Sequence, residues 1–477
     1  MNVMTAAHSY GLFIGGEWVD KQETAPVVNK YTQAVMAETA VTEKEDVKQA
    51  VEAAKSAFQT PFSMYDRYQI LLNVARLLRE HTDEFANVIA EEVGKPINEA
   101  KGEVARSALT LENSAEEAKR IHGEGIPVEA APGSENRTSF TRRYPVGIVA
   151  AITPFNVPLN LVCHKIGPAI AAGNSVILKP AEQTPVSALL LARLFEKAGL
   201  PKGRLNVLTG EGHVIGPMLT AQPDITMFTF TGSPKVGQLI REQAGLRNVA
   251  LELGNNSATV VHRDANLEKA AELVAQKSFN NAGQVCISVQ RVYVHKDIYA
   301  EFLQKVKAAA EQIKLGDPKE EATQMGPMIA EEEAVRVEQW VKEAVDQGAV
   351  VETGGVRDGV FFHPTILTNV DQDMKVCRQE VFGPVVAVDA YTKEEEVINR
   401  VNDSEYGLQA GLFTNSLSFA MKAMDEIHVG GLMINDTSGY RVDHMPYGGV
   451  KKSGTGKEGP RYVIEEMTEE KIIVFNR

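Results

Sequence analysis

The chemistry in this chain centres on one thiol. Cys286 stands in Phe279-Asn-Asn-Ala-Gly-Gln-Val-Cys286-Ile-Ser-Val-Gln290, after a Gly-Gln-Val turn and before the strand-like run Arg291-Val-Tyr-Val-His295. A thiol where a loop enters a strand can face a cleft. Isolated cysteines are most often core filler, and Cys163 and Cys377 have no context that suggests more. Cys286 differs because of Leu251-Glu252-Leu-Gly254, whose carboxylate lies 34 residues upstream (286 − 252) at the end of the apolar run Asn248-Val-Ala-Leu251. A carboxylate at a strand end near a thiol places a base beside a nucleophile. His and Cys show no metal-ligand spacing, so no metal is expected.

Elements of two kinds must position this pair. From residue 45 to 120 apolar residues recur at helical spacing, in Asp46–Phe58, in Tyr68–Leu78, and again after Pro96 through Glu117. His122 to Arg143 suits a hairpin. From Val146 short apolar runs alternate with helical patterns: Gly147–Ile152, Ser175–Leu178, Leu205–Leu208, Thr226–Phe230 and Asn248–Leu251. Between them Thr184–Phe195 reads as a helix, with Pro185 in its first turn and Gly199 beyond its end. Such alternation predicts parallel strands with both faces covered, a doubly wound sheet whose ligands sit at the carboxyl ends. A second α/β unit follows Glu252, with strands at Ala258–Val261, Arg291–Val294, Val385–Val388, Gly411–Phe413 and Gly431–Ile434. The last run, Lys471–Phe475, would leave an unpaired edge if alone.

The two chemical stretches together resemble the aldehyde dehydrogenase family, which carries Glu-Leu-Gly-Gly and Gly-Gln-x-Cys at this separation. The resemblance extends from Phe13-Ile-Gly-Gly-Glu-Trp-Val19 to Pro446-Tyr-Gly-Gly-Val-Lys-Lys-Ser-Gly454. Asn255 departs from it, standing where the second Gly is usual, which puts the local turn in question. The resemblance implies a Rossmann-like cofactor domain (residues 1–121 and 144–252), an α/β catalytic domain (253–445) and a small β oligomerisation arm (122–143 and 462–477) that joins subunits into a dimer or tetramer. It implies Cys286 as nucleophile, since thiolates add to carbonyls and leave well. Asn156, in Thr153-Pro-Phe-Asn156, would donate to the oxyanion with the Cys286 backbone N–H. Glu252 would serve as base for the thiol, for the hydrolytic water, or for both.

A nicotinamide cofactor follows from the same resemblance. Lys179 and Glu182, at the end of Leu178-Lys179-Pro-Ala-Glu182, would meet the adenosine ribose; a carboxylate there repels a 2′-phosphate and favours NAD, with NADP possible. Gly210-Glu-Gly212-His-Val-Ile-Gly216 is one residue too long for the dinucleotide fingerprint, yet Gly212 and Gly216 lie on the expected edge. Phe230, Thr231, Gly232 and Ser233 would approach the pyrophosphate, where Ser233 can cap a helix or bind phosphate oxygen. Ile152, Thr153, Pro154, Phe155, Leu253 and Gly254 would line the same cofactor site. Glu380 would grip the nicotinamide ribose and Phe382 would pack the ring.

The substrate side departs from the aromatic lining usual in relatives for hydrophobic aldehydes. Family positions for that lining fall on Arg106, Asn160, His164 and Arg441. A cluster of such donors suits a carboxylate, phosphate, phosphonate or sulfonate. The expected substrate is therefore a short anionic or strongly polar aldehyde, with sulfolactaldehyde, phosphonoacetaldehyde, glyceraldehyde 3-phosphate or a semialdehyde as examples and neutral lactaldehyde as the alternative. A CoA-acylating enzyme and a catalytically silent relative are the other readings; Glu252 argues for hydrolysis over transfer to CoA, and the presence of Glu252, Cys286 and Asn156 argues against a silent relative.

Bulk properties agree. At 477 residues the chain exceeds one core. A formal charge of −14 argues against a nucleic-acid partner. Three cysteines give no disulfide framework and fit a reducing compartment. No apolar run approaches a membrane span, and the first ten residues lack a leader pattern. A cytoplasmic protein with no membrane partner is expected.

Overall fold

Apolar runs that alternate with amphipathic stretches can bury both faces only as parallel strands under helices. In the computed structural model, which describes residues 8–477, two such sheets form. The reading of the first residues as leaderless falls mainly on residues 1–7, outside the described residues. The first sheet has five parallel strands in the spatial order Asn248–Glu252, Ile225–Thr231, Ile148–Ile152, Ser175–Lys179, Leu205–Val207. Antiparallel pieces close its edges: Gly454–Thr455 on one side, and the hairpin Leu12–Ile14 with Glu17–Val19 on the other. Chain order reverses between Ile148–Ile152 and Ile225–Thr231, and the crevice at such a point, outside the carboxyl ends, is where ligands bind in open α/β sheets.

The second sheet has seven strands in the order Val350–Thr353, Thr365–Thr368, Val385–Tyr391, Arg291–His295, Ala258–Val261, Gln409–Phe413, Gly431–Ile434, parallel except for Val350–Thr353 at one edge. Val350–Thr353 and Thr365–Thr368 were not anticipated. The chain leaves the first sheet at Glu252 and enters the second at Ala258. The carboxyl ends of the first therefore face the amino ends of the second, and both Glu252 and Cys286 lie at that junction.

The mixed α/β expectation holds. Helices Lys44–Phe58, Met64–Glu80 and Ile97–Ala118 cover the predicted runs, and an additional helix, Thr82–Val93, precedes Pro96. It ends at Gly94, whose φ of +83° is the left-handed conformation that glycine adopts freely. Among the described residues no helix is long and apolar enough to cross a membrane. The C-terminal run is not alone: Thr468–Asn476 pairs antiparallel with Arg137–Pro145 of its own chain along its whole length, and Gly125–Ile126 completes this small sheet. One edge of Thr468–Asn476 stays open and carries the exposed side chains Ile472, Val474 and Phe475.

Candidate active site

The nucleophile loop is shaped by backbone constraints. Asn281 and Ala282 both take left-handed conformations, φ 50° and 54°, before Gly283 at 70°. Such residues persist only where their surroundings over-determine them. Gly283 has no choice, because a side chain there would collide with the Gly383 carbonyl. Gln284 is buried; its amide donates to the Asn281 carbonyl at 3.0 Å and accepts from the Ile329 N–H at 2.9 Å. Asn156 Nδ2 donates to the Gln284 carbonyl at 2.9 Å. One of its two N–H bonds thus fixes the amide beside the loop and one remains. Cys286 Sγ meets the Tyr447 hydroxyl at 2.8 Å, and burial pushes the thiol up to about 11, with Tyr447 and Arg441 opposing the rise.

All the residues expected at the cofactor line one cavity of about 630 Å³ at the switch point, and Asn156 and Cys286 line it too. Ser233 caps the helix Pro234–Ala244 by accepting from the Val236 N–H at 3.4 Å. Lys179 Nζ donates to Glu182 at 2.7 Å, and that cation outweighs the effect of burial and holds the Glu182 carboxyl low. A side chain on Gly212 would stand 3.3 Å from Lys179 Nζ and 3.8 Å from Glu182, so the glycine keeps this pair accessible. At the far end the Asn255 N–H donates to Glu380 at 3.0 Å. A side chain on Gly254 would crowd the other Glu380 oxygen, at 2.5 Å. Gln290 holds the segment that carries Glu380 and Phe382, accepting from the Val381 N–H at 3.1 Å. Phe382 meets Phe155 edge-on at 5.8 Å across the cavity. These residues fit a dinucleotide: a carboxylate at each end for ribose hydroxyls, and a capped helix start between for the pyrophosphate. Asn255 needs no glycine-like backbone, since its φ is not positive; its side chain bonds Ser257 instead.

The four substrate-side candidates come together around a residue the sequence did not suggest, Asp443. Arg106 grips it with Nε at 3.0 Å and Nη2 at 2.7 Å. Asn160 Nδ2 donates to it at 2.9 Å, and His164 Nε2 lies 3.0 Å away. Arg441 Nη2 lies 3.0 Å from the same His164 nitrogen and 2.6 Å from Glu458. Helix register explains the meeting. Glu103, one turn before Arg106, accepts from the Leu159 and Asn160 N–H groups that open the helix Asn160–Ala172, while Asn160 and His164 share a face at i, i+4. Burial alone would raise the Asp443 carboxyl; its bonds to His164 and Arg106 outweigh this and keep it well below the usual range. Burial, then Arg441, lowers the His164 pKa, so the ring is neutral at neutral pH. Its Nε2 can serve only one neighbour: it donates to Asp443 in one tautomer and accepts from Arg441 in the other. Nδ1 is buried without a partner among the described residues.

Glu252 does not line the cavity that holds Cys286. Its carboxylate lies in a small closed chamber with Lys165, Glu458 and Glu466, and neither oxygen has a hydrogen-bond partner among the described residues. A side chain on Gly448 would come within 2.9 Å of Glu252 Oε1. Burial, then the Glu458 charge, raises the Glu252 pKa well above the carboxylate range. Only its ionised form can act as a base. Tyr447, Asp443, Glu458 and Lys165 were missed as site residues. Tyr447 stands out in the sequence only as part of the Pro446–Gly454 stretch that carries the resemblance, and the other three carry no local signal.

Comparison with known proteins agrees with this geometry. Residues 18–473 match the model of the aldehyde dehydrogenase family. The chain is 65% identical over 476 residues to 3-sulfolactaldehyde dehydrogenase of Priestia megaterium, covering 100% of both. Aldehyde dehydrogenase 21 from Physcomitrella patens, solved with the reaction product succinate, superposes with a TM-score of 0.97 at 37% identity and 99% coverage of each chain. Glyceraldehyde-3-phosphate dehydrogenase GapN from Methanocaldococcus jannaschii, complexed with NADP, gives 0.92 at 40% identity, covering 96% of this chain and 100% of its own. The chain belongs to the aldehyde dehydrogenase family and is an oxidoreductase that acts on aldehydes with NAD(P).

Proposed function

We propose that the protein oxidises a short aldehyde with an anionic far end, of the 3-sulfolactaldehyde kind, to its carboxylic acid, with NAD as the preferred cofactor. The observation that carries this reading is the convergence of Arg106, Asn160, His164 and Arg441 on one polar cluster. Arg106 Nη1 and Arg441 Nη1 make no hydrogen bond among the described residues. Each guanidinium already has a carboxylate, Asp443 or Glu458. An anion would therefore join as an additional partner of oriented donors rather than meet a bare charge, and the buried Arg441 is compensated by Glu458 without it. The 65% identical sulfolactaldehyde enzyme supports the sulfonate. Succinate in the Physcomitrella patens enzyme supports a distal anion more generally, since it has a second carboxylate.

In this reading Cys286 adds to the aldehyde carbon and Asn156, with the Cys286 N–H, holds the oxyanion. Glu380 and Phe382 orient the cofactor's reactive end, and Lys179 with Glu182 its adenosine end. The nicotinamide, when bound, supplies a hydride acceptor. Glu252, once ionised, takes a proton from the thiol or from the water that cleaves the thioester. The division into cofactor, catalytic and arm segments belongs to the same reading. So does a homo-oligomer that covers the open edge of Thr468–Asn476, and a cytoplasmic location. An NAD-linked assay over neutral, hydroxylated, carboxylated, phosphorylated and sulfonated aldehydes tests the substrate. The highest kcat/KM should fall on an anionic 2-hydroxy aldehyde. Best turnover of long apolar or aromatic aldehydes would overturn the reading.

A further inference from the structure

Tyr447 is buried against the nucleophile. Its hydroxyl is the one hydrogen-bond partner of Cys286 Sγ among the described residues, at 2.8 Å. Ile287, Leu408 and Met445 pack around the pair on its apolar side. The Arg441 guanidinium stacks on the tyrosine ring, 3.8 Å from its centroid, and Arg441 is fixed from behind by Glu458. A cation over the ring face is attracted to its electron density, and the same charge withdraws density from the phenol and makes its O–H a stronger donor.

We propose that Tyr447 is a further catalytic residue, whose O–H donates to the Cys286 sulfur when the thiol proton has left, with Arg441 reinforcing that bond through the ring. The thiol proton goes to the base; Tyr447 keeps its own proton throughout, since burial and the nearby Cys286 charge hold it un-ionised. The sulfur lone pair then forms the bond to the aldehyde carbon. In a pocket whose burial raises the thiol pKa, this donor opposes the rise and eases formation of the thiolate, because hydrogen bonding to the charged form favours it. The inference rests on Cys286 as nucleophile and not on the identity of the aldehyde.

Tyr447→Phe keeps the ring, its packing and the stacked Arg441, and removes only the donor. The test is the pH dependence of Cys286 alkylation by iodoacetamide, followed by mass spectrometry on the Cys286 peptide, with a thermal melt and NAD binding to check the fold. The apparent thiol pKa should rise by about one unit, slowing alkylation at neutral pH about ten-fold. The pre-steady-state burst of NADH should slow with KM little changed. A pH profile that superimposes on the parent's would overturn the role of Tyr447, because a merely structural tyrosine would alter the melt and leave the profile in place. Whether alkylation of Cys286 abolishes NADH formation in the parent checks the nucleophile separately.

Discussion

The cavity at the strand ends and the polar cluster beside Cys286 adjoin, yet different forces hold them. Around the cavity the contacts are mostly backbone: strand ends, a capped helix start, and glycines such as Gly212 and Gly254 whose missing side chains leave room for the charged groups beside them. The cluster is made of long side chains from four distant stretches, tied through two buried carboxylates, Asp443 and Glu458. A site built from backbone survives the loss of one side chain. A site built from mutually compensating charges does not, because removing one partner leaves another buried and unpaired. Substitutions should therefore behave differently on the two sides of the thiol.

The largest effect belongs to the group both regions serve. Cys286→Ala should abolish NADH formation while NAD binding, read by fluorescence or calorimetry, stays near the parent value. Retained turnover would remove the thiol from the mechanism. Glu252→Gln should follow, slowing turnover by roughly 10²–10⁴-fold, the range for loss of a general base. The sign of its pH dependence is fixed by burial. Because the Glu252 pKa is raised, its ionisation moves to higher pH, so parent turnover should climb with pH beyond the ordinary carboxylate range. The variant should show a flatter profile, with acyl-enzyme accumulating if hydrolysis is the step served. Parent-like rates and slope in the variant would contradict the role.

Next come the two arginines, which separate network from pocket. Arg441 is almost wholly buried and bonded to Glu458. Arg441→Leu should destabilise the fold by about 3–5 kcal/mol, the usual consequence of breaking a buried pair, and a denaturant titration would read it. Arg106 has a side chain 42% exposed, and Asp443 keeps Asn160 and His164 when it is lost. Arg106→Leu should therefore leave stability nearly intact and lower kcat/KM for an anionic aldehyde by about 1.5–3 kcal/mol, the size of a charged hydrogen bond. Neutral aldehydes should be spared. Equal losses for charged and neutral substrates would make Arg106 a structural residue.

The same contrast decides what the sequence could disclose. Strand ends, the helix start at Ser233 and the loop before Cys286 are written locally, so the strands of the first sheet and most of the second were legible from spacing, and the residues of the cavity became legible through the resemblance. Thr365–Thr368 was not, since Thr-Ile-Leu-Thr offers only two apolar residues and no periodicity to mark a strand. The pairing of Thr468–Asn476 with Arg137–Pro145 was not legible, because the two strands lie more than 300 residues apart in sequence. In the cluster the four candidates were legible only by resemblance. Asp443 and Glu458 were not, because an acidic residue in a loop says nothing about which arginine it will face. The position of Glu252, in a chamber with Lys165, Glu458 and Glu466 apart from the cavity that holds Cys286, is likewise a matter of packing that no spacing encodes.

The smallest effect is expected at the adenosine end of the cavity. Glu182 is partly exposed, and half-exposed charges interact by about 1 kcal/mol or less. Its carboxylate accepts from Lys179 and stands where the missing side chain of Gly212 leaves space. A 2′-phosphate would meet that negative charge and would find the Lys179 ammonium already engaged. Glu182→Ser removes the repulsion and releases Lys179 at once, so the two changes act in the same direction and should narrow the gap in kcat/KM between NAD and NADP. The effect should be modest because burial lowers the Lys179 pKa when its partner is gone and weakens its hold on a phosphate. Parallel assays with the two cofactors, parent against variant, measure the ratio. A parent that uses NADP as well as NAD, or a variant with an unchanged ratio, would mean that the strand-end backbone rather than this carboxylate sets the preference.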